Sequence, residues 1–440
     1  MMLPTNKLYA FNVKSLDKDK TICMAPFSME QVEPDASRGL CCYRTGDDNM
    51  EWNSPEMKQL RLDMLAEQPN KICEKCYVDE NSNFPSFRAL YNNATALWDD
   101  EPDLKEIRKQ IVSNVDSTGH ANYDPQILTL TLGNVCVGQC NMCSPWNSSA
   151  LYRVWKDIDK HKVASYDSKV YKWVNDDQYW EENLYPKFHH IVNLNVLGGE
   201  PFIINRYVKL LKYCVDNNLA KDIYHYVNTG SFKKPSEEIL ELWTHFKAVQ
   251  MELSIDDIQE RNEYIRYPVK WSSTLDFLNW CDNETEDNVY VSMNKTVQNL
   301  NIYYVPDMID WVLEQKFKKI NKHNGGIPFH NVCHQPERCN IKVLPQEIKQ
   351  RIRNKYEEWY KNFKLNYNVN TNDTQIIDNA EYQIHRVMKL LDLMDDNYMV
   401  RSLGKNNIEE FDYMQQWNKS LDKIRGTNFY KTFPIFKEYQ

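Results

Sequence analysis

The chain has 440 residues, 42% of them hydrophobic, with 53 basic against 62 acidic side chains and a formal charge of −9. That is apolar material enough for one large domain with attachments, or for two to three domains, and it excludes wholesale disorder. The acidic balance argues against a broad nucleic-acid surface, which needs a positive footprint, and leaves room only for a local basic groove. No apolar run reaches the 18 residues expected of a membrane span. The opening MMLPTNKLYAFNVKSLDKDK lacks an apolar core and a small-residue cleavage site, so no signal peptide is expected and the cytoplasm is the expected compartment. There, twelve cysteines are expected as thiols and metal ligands rather than as disulfides.

Residues 1–100 read as a loop-rich, cysteine-rich region. One helix is predicted there, Pro55–Ala66, from the spacing of Met57, Leu60, Met64 and Leu65. The region carries Cys23, Cys41, Cys42, Cys73 and Cys76. A C-x2-C pair with two more distant cysteines can wrap a metal completely, and zinc or a fully ligated [4Fe–4S] cluster would both suit it. From about residue 125 short apolar runs alternate with helical patterns. Strands are predicted at Ile127–Leu132, Ile191–Leu197, Tyr224–Asn228, Val249–Ile255, Val289–Met293 and, more weakly, Ile327–Val332. Helices are predicted at Arg206–Asn217, Glu237–Phe246, Ser273–Trp280 and Val305–Gln315. This alternation predicts an α/β fold of βα units round a parallel sheet, a partial (β/α)6 barrel. Residues 156–188, rich in Tyr, Trp and Lys, read as an insertion that either lines a groove or packs on the barrel. After Leu344-Pro345 the chain reads as helical. The predicted organisation is therefore a cysteine-rich region at 1–100, a barrel core at 120–335 and a helical region at 336–440.

The loop after the first barrel strand carries Cys136, Cys140 and Cys143 in a C-x3-C-x2-C spacing. Three thiolates on one short loop can ligate three irons of a cubane cluster and leave the fourth open to an exogenous donor. The plainer alternatives are a zinc site or three buried thiols. Zinc sites usually pair C-x2-C units with a fourth Cys or His, and His161 and His189 do not stand at such a spacing. The second strand ends in Gly198-Gly199-Glu200-Pro201, which allows close backbone approach and offers a carboxylate to an ammonium group. Asn228, Ser254, Asp256 and Asn294 stand at later strand ends, and polar residues there converge on one rim of a barrel. Taken singly, Asn228 or Asp256 is more readily a turn or cap residue. Arg266, just beyond the fourth strand, can grip a carboxylate bidentately or serve as one more solvated helix arginine. Cys214 and Cys281 fall in helical patterns and read as buried thiols, and Cys333 and Cys339, flanking His334, read as structural.

At the cysteine loop and at Gly198-Gly199-Glu200 the sequence resembles the radical S-adenosylmethionine (radical SAM) superfamily. The resemblance implies a [4Fe–4S] cluster on Cys136, Cys140 and Cys143, whose open iron is chelated by the methionine portion of S-adenosylmethionine. It implies that Gly198, Gly199 and Glu200 bind the amino group of that methionine. Asn228-Thr229-Gly230 and Leu253-Ser254-Ile255-Asp256-Asp257 resemble the family's strand ends that reach ribose and carboxylate. Met142 stands where the family often has an aromatic residue near the adenine. In the N-terminal region, Cys23-x2-Pro26-Phe27, Gly39, Cys41-Cys42, Trp52-Asn53-Ser54, Leu60-Arg61 and Cys73-x2-Cys76 resemble the SPASM/twitch auxiliary-cluster region. That implies a second [4Fe–4S] cluster on Cys23, Cys41, Cys73 and Cys76, with Cys42 the rival for the second place and zinc the alternative metal. In the family this region usually follows the barrel, whereas here it precedes it. The implied activity is reductive cleavage of S-adenosylmethionine to a 5′-deoxyadenosyl radical and hydrogen abstraction from a peptide or protein, with a one-electron donor such as a flavodoxin or ferredoxin. Two other readings stay open: the same chemistry on a small metabolite or nucleotide, or a non-enzymatic, zinc-stabilised binding protein.

Overall fold

A computed structural model describes residues 21–44, 50–94, 111–369, 371–395 and 406–440. The opening twenty residues, on which the signal-peptide reading rests, lie outside these. The strands are β1 (Met29–Val32), β2 (Arg38–Gly39), β3 (Ile127–Thr131), β4 (Asn193–Leu197), β5 (Tyr224–Thr229), β6 (Ala248–Ser254), β7 (Val289–Val297) and β8 (Phe329–Val332). They form one eight-stranded sheet in the order β2-β1-β3-β4-β5-β6-β7-β8, parallel throughout except for the β1–β2 pair. The six expected strands are all there, and all five expected helices lie within two or three residues of their predicted bounds.

The sheet has two more strands than the sequence led us to expect, and both come from the cysteine-rich region. β1 pairs in parallel with β3, Met29 opposite Ile127, so the region continues the sheet instead of standing apart from it. Its sequence, MEQV, is buried at every position and shows no alternation; β3, far along the chain, makes it a strand.

Alternate residues of the strands face opposite ways. One face carries Leu128, Leu130, Val196, Val227, Val249, Met251 and Val291, which share a core with Leu210, Trp243, Phe277 and Met308 of the covering helices. The insertion is part of this core: Trp173, Trp180, Tyr185 and Phe188 are buried in it, so these aromatics pack rather than line a groove. The C-terminal region is helical as expected (Gln346–Asn366, Thr374–Asp395, Asn407–Arg425) and shares a second core with Val297, Leu300 and Ile309. Among the described residues no helix is long and apolar enough to cross a membrane.

The helix Phe87–Ala94 stands between β1 and β8. The Tyr91 hydroxyl reaches Met29 Sδ of β1 at 3.1 Å, and Phe87 and Phe329 of β8 join one apolar cluster. The buried Arg386 guanidinium, from the C-terminal region, donates to Pro85 O (3.2 Å) and His330 O (2.8 Å) and lies over the Phe84 and Phe329 rings.

Arg61 organises the N-terminal region. It is fully buried, with Nε on Pro26 O (2.7 Å), Nη1 on Asn53 Oδ1 (2.9 Å) and Gly119 O (3.1 Å), and Nη2 on Trp52 O (2.6 Å). A lysine brings a point charge and cannot span four acceptors in this fork. Arg61→Lys is therefore expected to cost about 2–4 kcal/mol in urea unfolding, since buried acceptors left unmet cost about 1–3 kcal/mol each; an unchanged midpoint would contradict this account of the region.

Candidate active site

The cysteine loop leaves β3 and is held from the far side of the sheet. Gln139 N–H donates to Tyr267 O (2.7 Å) and Asn141 N–H to Ile265 O (2.8 Å). Three guanidiniums grip the three consecutive residues 139–141. Arg425 Nη2 donates to Gln139 O (2.5 Å), Arg266 Nη1 stands 3.8 Å from Cys140 Sγ, and Arg338 bonds Asn141 O (2.9 Å) and Asn141 Oδ1 (3.1 Å). The Gly138 amide points at Cys136 Sγ (3.2 Å). Burial, then charge on neighbouring cysteines, pushes the Cys136 thiol up to about 11 and Cys143 up to about 12. Burial also raises Cys140, against the pull of Arg266. Such thiols keep their protons unless a metal replaces them, and metal ligation deprotonates a thiol outright.

Arg266 is not a solvated arginine. Its Nε and Nη2 clasp Asp256 at 2.6 and 3.1 Å, and Asp256 is wholly buried. Asp256 Oδ1 also accepts from Thr296 N–H (2.8 Å), so its carboxylate faces protein groups and positions Arg266 beneath Cys140.

Gly198 and Gly199 take φ of +80° and +56°. A Cβ on Gly198 would lie 2.3 Å from Thr131 Cγ2, and one on Gly199 would lie 2.4 Å from Val135 O. Only glycine lets the end of β4 pass this close to the cysteine loop. Glu200 follows at once, its N–H donating to Val135 O (2.8 Å). Its carboxylate is fully buried and accepts from Thr229 Oγ1 and Gly230 N–H, both at 2.8 Å. The Asn228-Thr229-Gly230 strand end thus serves Glu200 directly, a role the sequence did not reveal for Thr229. Burial outweighs those two bonds and pushes the Glu200 carboxyl up to about 7.

Asn228, Ser254 and Asn294 lie at the ends or along the inner face of β5, β6 and β7, with Ser254 opposite Asn294 in register. Asn228 Oδ1 is buried without a partner, and Asn294 Oδ1 accepts from Asn331 Nδ2 (2.8 Å). Met142 packs against the second core.

In the N-terminal set, Cys23, Cys41, Cys73 and Cys76 stand within electrostatic reach of one another. Burial and then Cys73 and Cys41 raise Cys23, and burial and then Cys41 push Cys73 up to about 12. Backbone amides point at these sulfurs, from Ala25 to Cys23, from Tyr43 and Arg44 to Cys41, and from Arg88 to Cys76. Cys42 instead lines a separate cavity. Among the described residues no three His, Cys, Asp or Glu converge on a point that would hold one metal ion; a cubane places each thiolate on its own iron and does not need that convergence. Cys214 and Cys281 are buried in helices, and Cys339 is buried with Arg338 Nη1 2.8 Å from its sulfur.

That separate cavity, about 250 Å³, lies between one face of the sheet and the helix Phe87–Ala94. Its strand residues, among them Thr129, Asn195, Gln250, Glu252 and Ser292, are mostly polar, where a barrel interior usually holds branched apolar side chains. The alternation in NLNVL and VQMELS carried the signal, and the apolar halves of the same strands hid it.

No family model matches this chain, and no curated protein matches it. Among solved structures it is similar to Streptococcus suis SuiB bound to S-adenosylmethionine, at 13% identity and a TM-score of 0.33, over 73% of this chain and 65% of that one. It is also similar to anSMEcpe with bound AdoMet and Cp18Cys peptide (15% identity, TM-score 0.34, 54% of this chain and 60% of that one) and to TYW1 with a lysine-pyruvate adduct (14%, 0.29, 53% and 72%). The chain thus spans less than two thirds of the SuiB chain. Likenesses this slight decide nothing about chemistry, which rests on the residues themselves.

Glu200 yields a signed test. Its folded value near 7 lies above the ordinary 4.5, so the folded chain holds this proton where the unfolded chain has released it. Wild-type stability therefore loses this contribution as pH rises from about 4.5 to about 7, by about 1.4 kcal/mol per unit of difference. The melting temperature of Glu200→Gln minus that of wild type is expected to climb across that window, and a flat difference from pH 4.5 to 7.5 would remove the buried-acid account.

Proposed function

We propose that this chain is a radical SAM enzyme whose Cys136, Cys140 and Cys143 hold a [4Fe–4S] cluster with one open iron. The observation that carries the reading is a single arrangement: three thiols on one loop, gripped by three arginines, with the buried Glu200 acceptor held against that loop by Gly198 and Gly199. The donor set suits a cluster, since three buried thiols share one loop and an amide already points at Cys136 Sγ. Once bound and reduced, such a cluster supplies the electron that splits S-adenosylmethionine into methionine and a 5′-deoxyadenosyl radical, which takes a hydrogen atom from the substrate.

The chain's own residues bind, orient and tune. Glu200 accepts the ammonium of the methionine moiety, and Thr229 and Gly230 fix the direction of its oxygens. Ser254 faces the remaining polar groups of S-adenosylmethionine, while Asn228, expected to do the same, lines the neighbouring cavity. Arg266, placed by Asp256, and Arg425 add positive charge beside Cys140, which favours the thiolate and holds the reducible centre at a higher potential than a neutral surround would.

We assign Cys23, Cys41, Cys73 and Cys76 to a second [4Fe–4S] cluster of SPASM/twitch type. Support comes from their shared location, from the amides aimed at their sulfurs and from Cys42 lining a different cavity. The substrate is read as a peptide or protein, and the electron as coming from a donor such as a flavodoxin or ferredoxin.

After anaerobic reconstitution, about eight irons per chain are expected in wild type and about four in Cys136→Ala/Cys140→Ala/Cys143→Ala. With dithionite, wild type should release 5′-deoxyadenosine from S-adenosylmethionine and the triple variant none. Zinc in place of iron, with no labile sulfide, would make the chain a structural metalloprotein instead.

A further inference from the structure

The interior cavity is built around an unmet acid. By register Asn228, Glu252 and Ser292 are neighbours on β5, β6 and β7 and face the same lumen. Glu252 is only 5% exposed, and its Oε1 accepts from Gln250 Nε2 (3.1 Å), which fixes the carboxyl in place. Its Oε2 has no partner, and neither does Asn228 Oδ1 nor Asn193 Oδ1 at the other end of the cavity. Asn324 Oδ1 of the lining is a fourth, so the buried side-chain atoms of the described lining that lack a partner are all acceptors. Among the described residues no lysine or arginine lines the cavity, and burial holds the one histidine there, His323, toward its neutral form. Across from the acceptors stand Phe87, Leu90 and Phe329, an apolar wall.

Unmet buried acceptors are costly, and a buried carboxyl group without a counter-charge more so. Burial pushes the Glu252 carboxyl up to about 8. A cation entering the lumen would reverse that cost, and at about 250 Å³ the space suits a side chain and excludes a folded segment.

We propose that the lumen binds a guanidinium or ammonium group on a short alkyl chain, with Glu252 as its counter-charge, Asn228 and Asn193 as further acceptors and the Phe87–Leu90–Phe329 wall covering its methylenes. An arginine or lysine side chain of a peptide has this chemistry, and so does a small free amine. Cation binding rests on the cavity alone; that the bound group is the substrate rests on the radical SAM reading.

The test is calorimetric titration of the full chain with n-butylguanidinium and with n-butylurea, which has the same shape and no charge. Wild type should bind the cation at least tenfold more tightly than the urea, and Glu252→Gln should lose that preference. Equal affinity for the two probes, or an undiminished preference in Glu252→Gln, would overturn the proposal. Should Glu252→Gln fail to fold, Glu252→Asp draws the carboxylate back by one methylene and should weaken the cation at least tenfold relative to the urea; no weakening would again overturn it. A short peptide with one arginine, set against the same peptide with citrulline, separates the sources. The arginine peptide matching butylguanidinium identifies a peptide side chain, and binding of the free cation alone identifies a small amine. The Cys136→Ala/Cys140→Ala/Cys143→Ala variant should keep the preference, so loss of iron and loss of cation binding report on different claims.

Discussion

The Asp256 carboxylate and its own backbone carbonyl form the knot to which the candidate site is tied. The carboxylate accepts from Arg266 and from the Thr296 amide, and the carbonyl accepts from Lys295 Nζ and Asn301 Nδ2. These donors come from β7, from the turn after it and from the end of the helix after β6. A buried charge is tolerated only when it is met this fully. One consequence is reach: Arg266, held on one side by Asp256, is left with a free edge toward Cys140. The carboxylate that the sequence placed at the rim as a cofactor ligand is one step back, setting the position of the group that does face the thiol.

The cysteine loop and the lumen differ in electrostatic sign. The loop is ringed by Arg266, Arg338 and Arg425, which suit sulfur ligands carrying negative charge. Among the described residues the lumen has one acid, several carboxamide oxygens and no basic residue apart from His323. Asn228 belongs to both neighbourhoods, at the strand end next to Thr229 and on the lumen wall.

Much of this was legible in the sequence. The six βα strands, the helices between them, the C-x3-C-x2-C loop and the Gly-Gly-Glu turn are local patterns, and local patterns survive in a linear reading. What did not survive depends on distant partners. MEQV at 29–32 is a strand because β3 completes its hydrogen bonds. Arg338 and Arg425 matter because the C-terminal region folds back on residues 139–141, and nothing near them in sequence says so. Glu252 looks like one polar residue in an apolar strand until the pleat turns it inward beside Asn228. Arg266 was half legible: its position after β6 pointed to a carboxylate partner, and that partner is Asp256 of its own chain.

The parallel pairing of β1 with β3 also bears on the order of events at the ribosome. A strand added in parallel must wait for its neighbour to be synthesised, and the closing helix Phe87–Ala94 must wait longer, for β8 and for Arg386. β1 can therefore pair once β3, at residues 127–131, has been made, well before the helix Phe87–Ala94 finds its partners. The cluster proposed for Cys23, Cys41, Cys73 and Cys76 would then be enclosed only after β8 and Arg386 have been made, because Arg88, whose amide faces Cys76, belongs to that helix.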